Sequence, residues 1–259
     1  GFDPLRAHHL FQDSGCYALS AIAPSNEVYM GQSIETVIIG GGQAGLSASY
    51  HLAQRGCEHV LLEQAAQAGN AWRNGRWDSF TFLTPNWSFR LPGAEYHGNA
   101  PDGFMARDDI VACFEQYVER FHLPVHYGAR VTSVVRKADG QGYLVRTDET
   151  VWEARHVVMA TGLFQQPKIP SYRTSLSARI TQLPSGQYRN PQALPPGAVL
   201  VVGSAQSGCQ IAEELYQSGR RVYLCIGGAG RVPRWYRGKD VYEWLHLSGF
   251  LDRTADKLP

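Results

Sequence analysis

No stretch of this sequence approaches the roughly 18 consecutive apolar residues that a membrane-spanning helix needs. Neither sign of charge is in surplus: 24 Lys and Arg against 23 Asp and Glu leave a formal net charge of +1. The first shortage excludes a helical membrane span, and the second excludes a chain that grips nucleic acid along its whole surface. Cysteine is scarce and scattered. Cys16, Cys57, Cys113, Cys209 and Cys225 are odd in number and form no C-x-x-C pair, whereas a disulfide scaffold, a thiolate zinc site and a vicinal redox dithiol all need such pairing. Reduced thiols in a cytoplasmic protein are the expectation. No Ser-His-Asp or paired-carboxylate constellation stands out, and His122 and His126 are separated by Pro124, which spoils a helical metal pair. An initiating methionine is missing as well. Residues 1–29 show no clear period, and Asp3 and Asp13 spoil the basic start of a signal peptide; residues 1–33 are read as a leader or non-native extension without function.

What the chain does have is length for a full core, at 259 residues and 44% apolar content, and glycine arranged twice in the same register. The first copy is Val37-Ile38-Ile39-Gly40-Gly41-Gly42-Gln43-Ala44-Gly45, and the second is Leu200-Val201-Val202-Gly203-Ser204-Ala205-Gln206-Ser207-Gly208. Gly40 and Gly203, Gly45 and Gly208, and Gly56 and Gly219 are each 163 residues apart. In both copies a β-branched run enters a G-x-[G/A]-x-x-G turn, and a helix-length segment then closes on glycine. Such a turn presents backbone N–H groups at a helix N-terminus, where the dipole favours a pyrophosphate. Two of them in register predict a protein that holds two dinucleotides.

The first helix is expected over residues 43–55, with Ala44, Ala48 and Leu52 as its sheet-facing stripe and Gly56 at its C-terminal end. The next strand, Val60-Leu61-Leu62, ends in Glu63, 23 residues after Gly40. An acid there accepts hydrogen bonds from ribose hydroxyls and repels a 2′-phosphate, which predicts FAD or NAD, not NADP, at the first turn. Further on, residues 108–121 have a helical period with Ile110, Phe114, Tyr117 and Val118 on one side. Three strand-like pieces follow at 129–136, 142–147 and 150–154, with a hairpin turn at Ala138-Asp139-Gly140. Residues 156–162 are then expected as a separate buried strand ending in a small-residue turn.

At the second turn the register comparison puts Ile226 where Glu63 stands in the first. The acid is gone, and Arg231, Arg234, Arg237 and Lys239 follow, an arrangement suited to a 2′-phosphate and hence to NADPH. A solvated basic face is the alternative for that cluster. Arg220 and Arg221 are expected to cap the preceding helix.

Taken with Gly69-Asn70-Ala71-Trp72-Arg73, which matches a G-x-x-W-R motif, and Ala160-Thr161-Gly162, which matches an A-T-G linker, this order of motifs resembles the class B flavoprotein monooxygenases. That family comprises flavin-containing monooxygenases and related bacterial flavin-dependent oxidoreductases. The resemblance implies an α/β fold of two Rossmann-type dinucleotide-binding domains, the first with a β-meander insertion: an FAD domain over 34–165, a linker over 166–196 and an NADPH domain over 197–259. It places FAD on Gly40, Gly42, Gln43, Ala44, Gly45, Glu63 and Gln64, with Trp72 and Arg73 against it and the backbone at Val131 beside adenine. Thr161 and Gly162 cross between the domains. NADPH is placed on Gly203, Ala205, Gln206, Ser207 and Gly208, with Arg231 and Arg234 at the 2′-phosphate. The implied chemistry is hydride transfer from NADPH to flavin, capture of O2 as a C4a-hydroperoxyflavin, and oxygen transfer to a small organic substrate. No nucleic acid or membrane partner is implied, and homodimerisation is left open.

Thr84 and Asn86, in the loop where that family places polar groups near the flavin, are the catalytic candidates; an ordinary Pro-Asn turn is the alternative. Trp77, Trp87 and Phe89 are expected in packing. The family's linker fingerprint F-x-G-x-x-x-H-x-x-x-[YF] aligns on residues 178–188, where only Tyr188 matches and Pro184 holds the histidine position. Simple NAD(P)H:flavin oxidation therefore stands open beside oxygenation. Members of the family run on well past the second motif, so the sequence is expected to be a fragment or to need a partner segment, with a non-catalytic nucleotide-binding fragment as the third reading.

Overall fold

The computed structural model describes residues 31–164, 166–228 and 232–254. Its first strand, β1 (Gln32–Ile39), sends Val37 and Ile39 to one face and Ile38 to the other, all buried. A strand segment covered on both faces reads as an unbroken apolar run instead of an alternating one, as Val37-Ile38-Ile39 does at the end of β1. Helix α1 (Gln43–Gln54) follows, then β2 (His59–Glu63), buried throughout. Helix α2 (Asn70–Arg73), the two-residue strands β3 (Arg90–Leu91) and β4 (Ala94–Glu95), which pair with each other, and helix α3 (Arg107–Arg120) come next. The strands β5 (Val125–Tyr127), β6 (Val131–Arg136), β7 (Tyr143–Thr147) and β8 (Val151–Met159) complete a six-stranded sheet in the order β5-β2-β1-β8-β7-β6. The first four run parallel, and β6, β7 and β8 form an antiparallel meander.

Three expectations are corrected here. Residues 150–154 and 156–162 are not two strands, because β8 runs unbroken and pairs with β1 along nearly its whole length. Its second half is not buried either: β7 pairs only as far as Ala154, and Met159 is 63% exposed. The polar Arg155 and His156, which suggest a break in the sequence, lie exposed within one continuous strand. The third correction concerns α1, whose buried residues are Gly45, Leu46 and Ser49, with Ala48 and Leu52 half-buried and Ala44 exposed. The helix lies so close to the sheet that its contact stripe runs through a glycine. Ser49 tolerates burial because its hydroxyl meets the His59 ring at 2.8 Å.

The second half repeats the unit: β9 (Val199–Val202), α4 (Gln206–Gln217) and β10 (Val222–Cys225), with β9 and β10 parallel. A short hairpin, β11 (Trp235–Tyr236) and β12 (Lys239–Asp240), leads into α5 (Val241–Leu247), whose N-terminus is capped by Asp240. Ile211 and Leu215 of α4 belong to the same apolar cluster as Ile38, Trp77 and Phe114. The two repeats therefore share a core.

Within the expected linker, residues 166–183 are almost entirely exposed, whereas Tyr188 is buried in that shared core. Arg220 caps α4 as expected, through its main chain, its N–H donating to the Leu215 carbonyl at 3.2 Å, and its side chain adds a second role. Its guanidinium donates to the carbonyls of Pro191, Leu194 and Pro195 at 2.8, 2.8 and 2.6 Å, so it staples the end of the linker to the second repeat.

Candidate dinucleotide site

At the C-terminal ends of β1 and β2 the three motif glycines do three different jobs. Gly40 has φ +106°, and a Cβ on it would sit 2.5 Å from the Ala160 carbonyl oxygen and 3.2 Å from Thr161 Cα. That is how the Ala160–Gly162 turn, with Gly162 also at positive φ, comes to lie across the first motif. A Cβ on Gly45 would fall 1.9 Å from the Gly40 carbonyl oxygen, which is the close helix–strand approach. Gly42 faces open space. It caps α1 with no side-chain partner, followed by Gln43 and Ala44, both exposed; first-turn N–H groups lack intrahelical acceptors and await an external one.

Glu63 is buried at the end of β2, one carboxylate oxygen accepting from Gly41 N–H at 2.6 Å and the other from Ala65 N–H at 2.9 Å. Gln64 beside it is exposed. The main chain entering β6 is drawn to the same place, Ala129 N–H donating to the Glu63 carbonyl and Gly128 N–H to that of Ala65, each at 3.0 Å. Val131 thus starts its strand close to the acid. Gly128 and Ala129 were not foreseen as site residues; the one signal for them is a glycine just before a strand.

Gly69, at φ +72°, opens α2. The Trp72 ring lies 5.7 Å from Phe80 and 5.8 Å from Phe82, with the Arg76 guanidinium 5.2 Å above it. Arg76, a turn beyond Trp72, also went unforeseen. Arg73 pairs with Glu115 of α3 at 2.5 Å, while its Nε is buried without a partner. Trp77 and Phe89 are core residues, as expected, and Trp87 packs on Tyr242 and His246 at 5.8 and 5.4 Å. Thr84 is half-buried. Asn86 is buried, with its carbonyl accepting from Met105 N–H at 2.6 Å and its amide donating to the Ala100 carbonyl at 2.9 Å. Those bonds make Asn86 the brace of residues 100–105.

The second turn repeats the backbone of the first. Gly203 has φ +107°, and a Cβ on Gly208 would lie 1.9 Å from the Gly203 carbonyl oxygen. Ala205 caps α4, and Gln206, Ser207 and Gly208 form its first turn. Two things differ. Nothing lies within 4 Å of a Cβ on Gly203, and Ile226, half exposed, stands just past the end of β10 in place of an acid. Arg231 lies outside the described residues. Arg234, expected at a 2′-phosphate, bonds the Asp240 carboxylate at 2.5 Å and the Leu83 carbonyl at 2.7 Å. Asp240 is 4% exposed, and a carboxylate so placed demands a cation.

The turns are joined through residues 188–190. Tyr188 donates to Glu214 of α4 at 2.7 Å. Arg189 donates to the carbonyls of Asn74 and Arg76, just beyond α2, at 2.6 and 3.1 Å. Asn190 donates to Asp78, which also pairs with Arg107. These two partners, Asn190 first, hold the Asp78 carboxyl below its ordinary value. Burial, then the bond to Glu214, pushes the Tyr188 hydroxyl above its ordinary value, and burial does the same to Tyr117. Both phenols stay protonated in the folded chain where the unfolded chain begins to ionise. Their contribution is full below the ordinary tyrosine value and is lost as pH climbs above about 10. We expect the urea midpoint to fall through that range, and Tyr188→Phe to flatten the fall.

Among the described residues no three His, Cys, Asp or Glu gather as metal ligands, and no helix is long and apolar enough to cross a membrane. A family model described as pyridine nucleotide-disulphide oxidoreductase matches residues 37–245. An uncharacterized oxidoreductase CzcO-like of Geobacillus kaustophilus is 36% identical over 220 residues, 85% of this chain and 62% of that protein. The chain thus spans less than two thirds of that curated relative. Indole-3-pyruvate monooxygenase YUCCA1 of Oryza sativa is 27% identical over 80% of this chain and 51% of its own length. Among solved structures, a flavin-containing monooxygenase from Stenotrophomonas maltophilia superposes with a TM-score of 0.72 at 28% identity, covering 83% of this chain and 63% of that one. The shared architecture is a pair of Rossmann-type domains, the first carrying the meander.

Proposed function

The chain belongs to the pyridine nucleotide-disulphide oxidoreductase family, and we propose that it is a flavin-dependent oxidoreductase of the monooxygenase kind, taking FAD at the first glycine turn and NADPH at the second. The observation that carries this reading is the division of labour at the first turn. Gly40 and Gly45 are closed by packing, Gly42 is open, and a buried carboxylate stands beside Gly41. That cradle fits the ADP half of FAD. A methyl at position 42 would fill the space a pyrophosphate needs, and the Glu63 oxygens, each using one lone pair on backbone, keep others for ribose hydroxyls. Bound FAD supplies a hydride acceptor that can be reoxidised by O2, with an oxygen atom passing to a soft nucleophile or a carbonyl of a small organic substrate.

The residues do the rest. Gly42, Gln43 and Ala44 offer N–H groups to the pyrophosphate, with Gln64 at the rim of the ribose site and the main chain of Val131 beside adenine. Trp72 and the phenylalanines around it wall the ring site against water, with Arg73 at its border. Thr161 and Gly162 carry the chain across, Thr84 lies toward the flavin edge, and Asn86 acts by bracing the adjoining loop. At the second turn Gly203, Ala205, Gln206, Ser207 and Gly208 receive NADPH. Ile226 does not repel a 2′-phosphate, and Arg231 is the base assigned to grip it. Among the described residues Cys57, Cys113, Cys209 and Cys225 are all free thiols, which gives a dithiol mechanism no support there.

The protein saturated with FAD and kept anaerobic is expected to lose its visible flavin absorbance on addition of NADPH, and more slowly with NADH. Air and an organic sulfide should then yield the sulfoxide. Reoxidation that releases only hydrogen peroxide would favour simple flavin oxidation. Failure to retain flavin at all would overturn the reading.

A further inference from the structure

Arg234 belongs to the second half of the chain, yet it reaches into the first. One terminal nitrogen donates to the Leu83 carbonyl at 2.7 Å, and the guanidinium carbon lies 4.7 Å from the centre of the Phe104 ring. Its Nε donates to one oxygen of Asp240, whose other oxygen accepts from Tyr242 N–H at 2.8 Å and so caps α5. That helix in turn presses Tyr242 and His246 against Trp87. Residues 83–87 are therefore gripped from the second half by Arg234 and α5, and braced within the first half by Asn86.

We propose that Arg234 is a positioning residue: it fixes the Leu83 carbonyl, and with it Thr84, beside the Trp72–Phe82 wall of the proposed flavin site. It does not read the 2′-phosphate. The inference rests on the functional reading above. A planar fork can serve Leu83, Asp240 and the face of Phe104 together, which the point charge of a lysine cannot.

The test uses the FAD-loaded protein with two variants. Arg234→Lys keeps the charge and loses the fork. Arg234→Met with Asp240→Asn removes both charges at once, so no buried carboxylate is orphaned, and asparagine still caps α5. In both variants, backbone amide exchange over residues 82–88 is expected to quicken about tenfold, with flavin content retained. Flavin reduction should slow by a similar factor, about tenfold, with NADPH and with NADH alike, leaving the ratio of their KM values unchanged. A rise in KM for NADPH alone would make Arg234 a phosphate ligand and overturn the proposal, as would unaltered exchange. Should neither nucleotide reduce the unsubstituted protein, the functional reading fails, while the exchange measurement still decides whether Arg234 holds the loop.

Discussion

Replacing Gly45 with alanine is expected to cost about 3 kcal/mol or more of folding stability and to abolish measurable FAD binding. The added methyl would lie 1.9 Å from the Gly40 carbonyl oxygen, with Ala160 Cβ a further 3.4 Å neighbour. The first obstacle is backbone, which cannot rotate aside as a side chain can. Helix α1 would have to retreat from β1, opening the contact that buries Leu46 and dragging its first-turn N–H groups out of line. Gly42→Ala is the matched control. Position 42 has φ −84° and open space around a Cβ, so the apo protein should lose only about 1 kcal/mol, the usual cost of alanine at an N-cap. Its methyl would occupy the approach to the helix N-terminus, and FAD affinity should fall by about 10-fold to 100-fold. Urea denaturation of the two apo proteins, followed by FAD titration, separates the effects. Equal destabilisation by both substitutions would refute the division of roles.

Glu63→Gln carries the second large effect. The carboxylate accepts one backbone N–H on each oxygen. An amide has only one accepting end, so either Gly41 or Ala65 would be left facing another donor, at a cost of about 1–3 kcal/mol before any ligand is added. The charged acceptor for the ribose is lost at the same time, and FAD affinity should drop about 100-fold. Isothermal titration of FAD alongside urea midpoints checks both parts. An unchanged Kd with a lowered midpoint would reduce Glu63 to a clamp on the glycine turn.

Both glycine turns were legible because their constraint is local: positive φ at Gly40 and Gly203, and close approach at Gly45 and Gly208, write themselves as glycine wherever they occur. The buried stripe of α1 was not. An apolar pattern selects Ala44, Ala48 and Leu52, but where a helix nearly touches a strand the decisive residue is the one with no side chain, Gly45. The unity of β8 was hidden by Arg155 and His156, because exposure within a strand depends on which neighbour stops pairing. Arg234 reads as a free base until the burial of Asp240 is known. Arg189 and Arg220 bind carbonyls, which every residue carries, so no sequence pattern could name their partners. Tyr188, matched as the one survivor of a fingerprint, proved to touch Glu214 through a spacing of 26 residues.

The apolar cluster that runs from Ile38 through Trp77 and Tyr188 to Leu215 gives the two glycine-turn repeats a common interior. Were each repeat to bury its own interior, they could swing like a pair of doors, and the gap between two bound rings would vary with thermal motion. Here the wall of one room is the wall of the next. On the proposed function, the separation of the two bound rings is then set by side-chain packing across that wall.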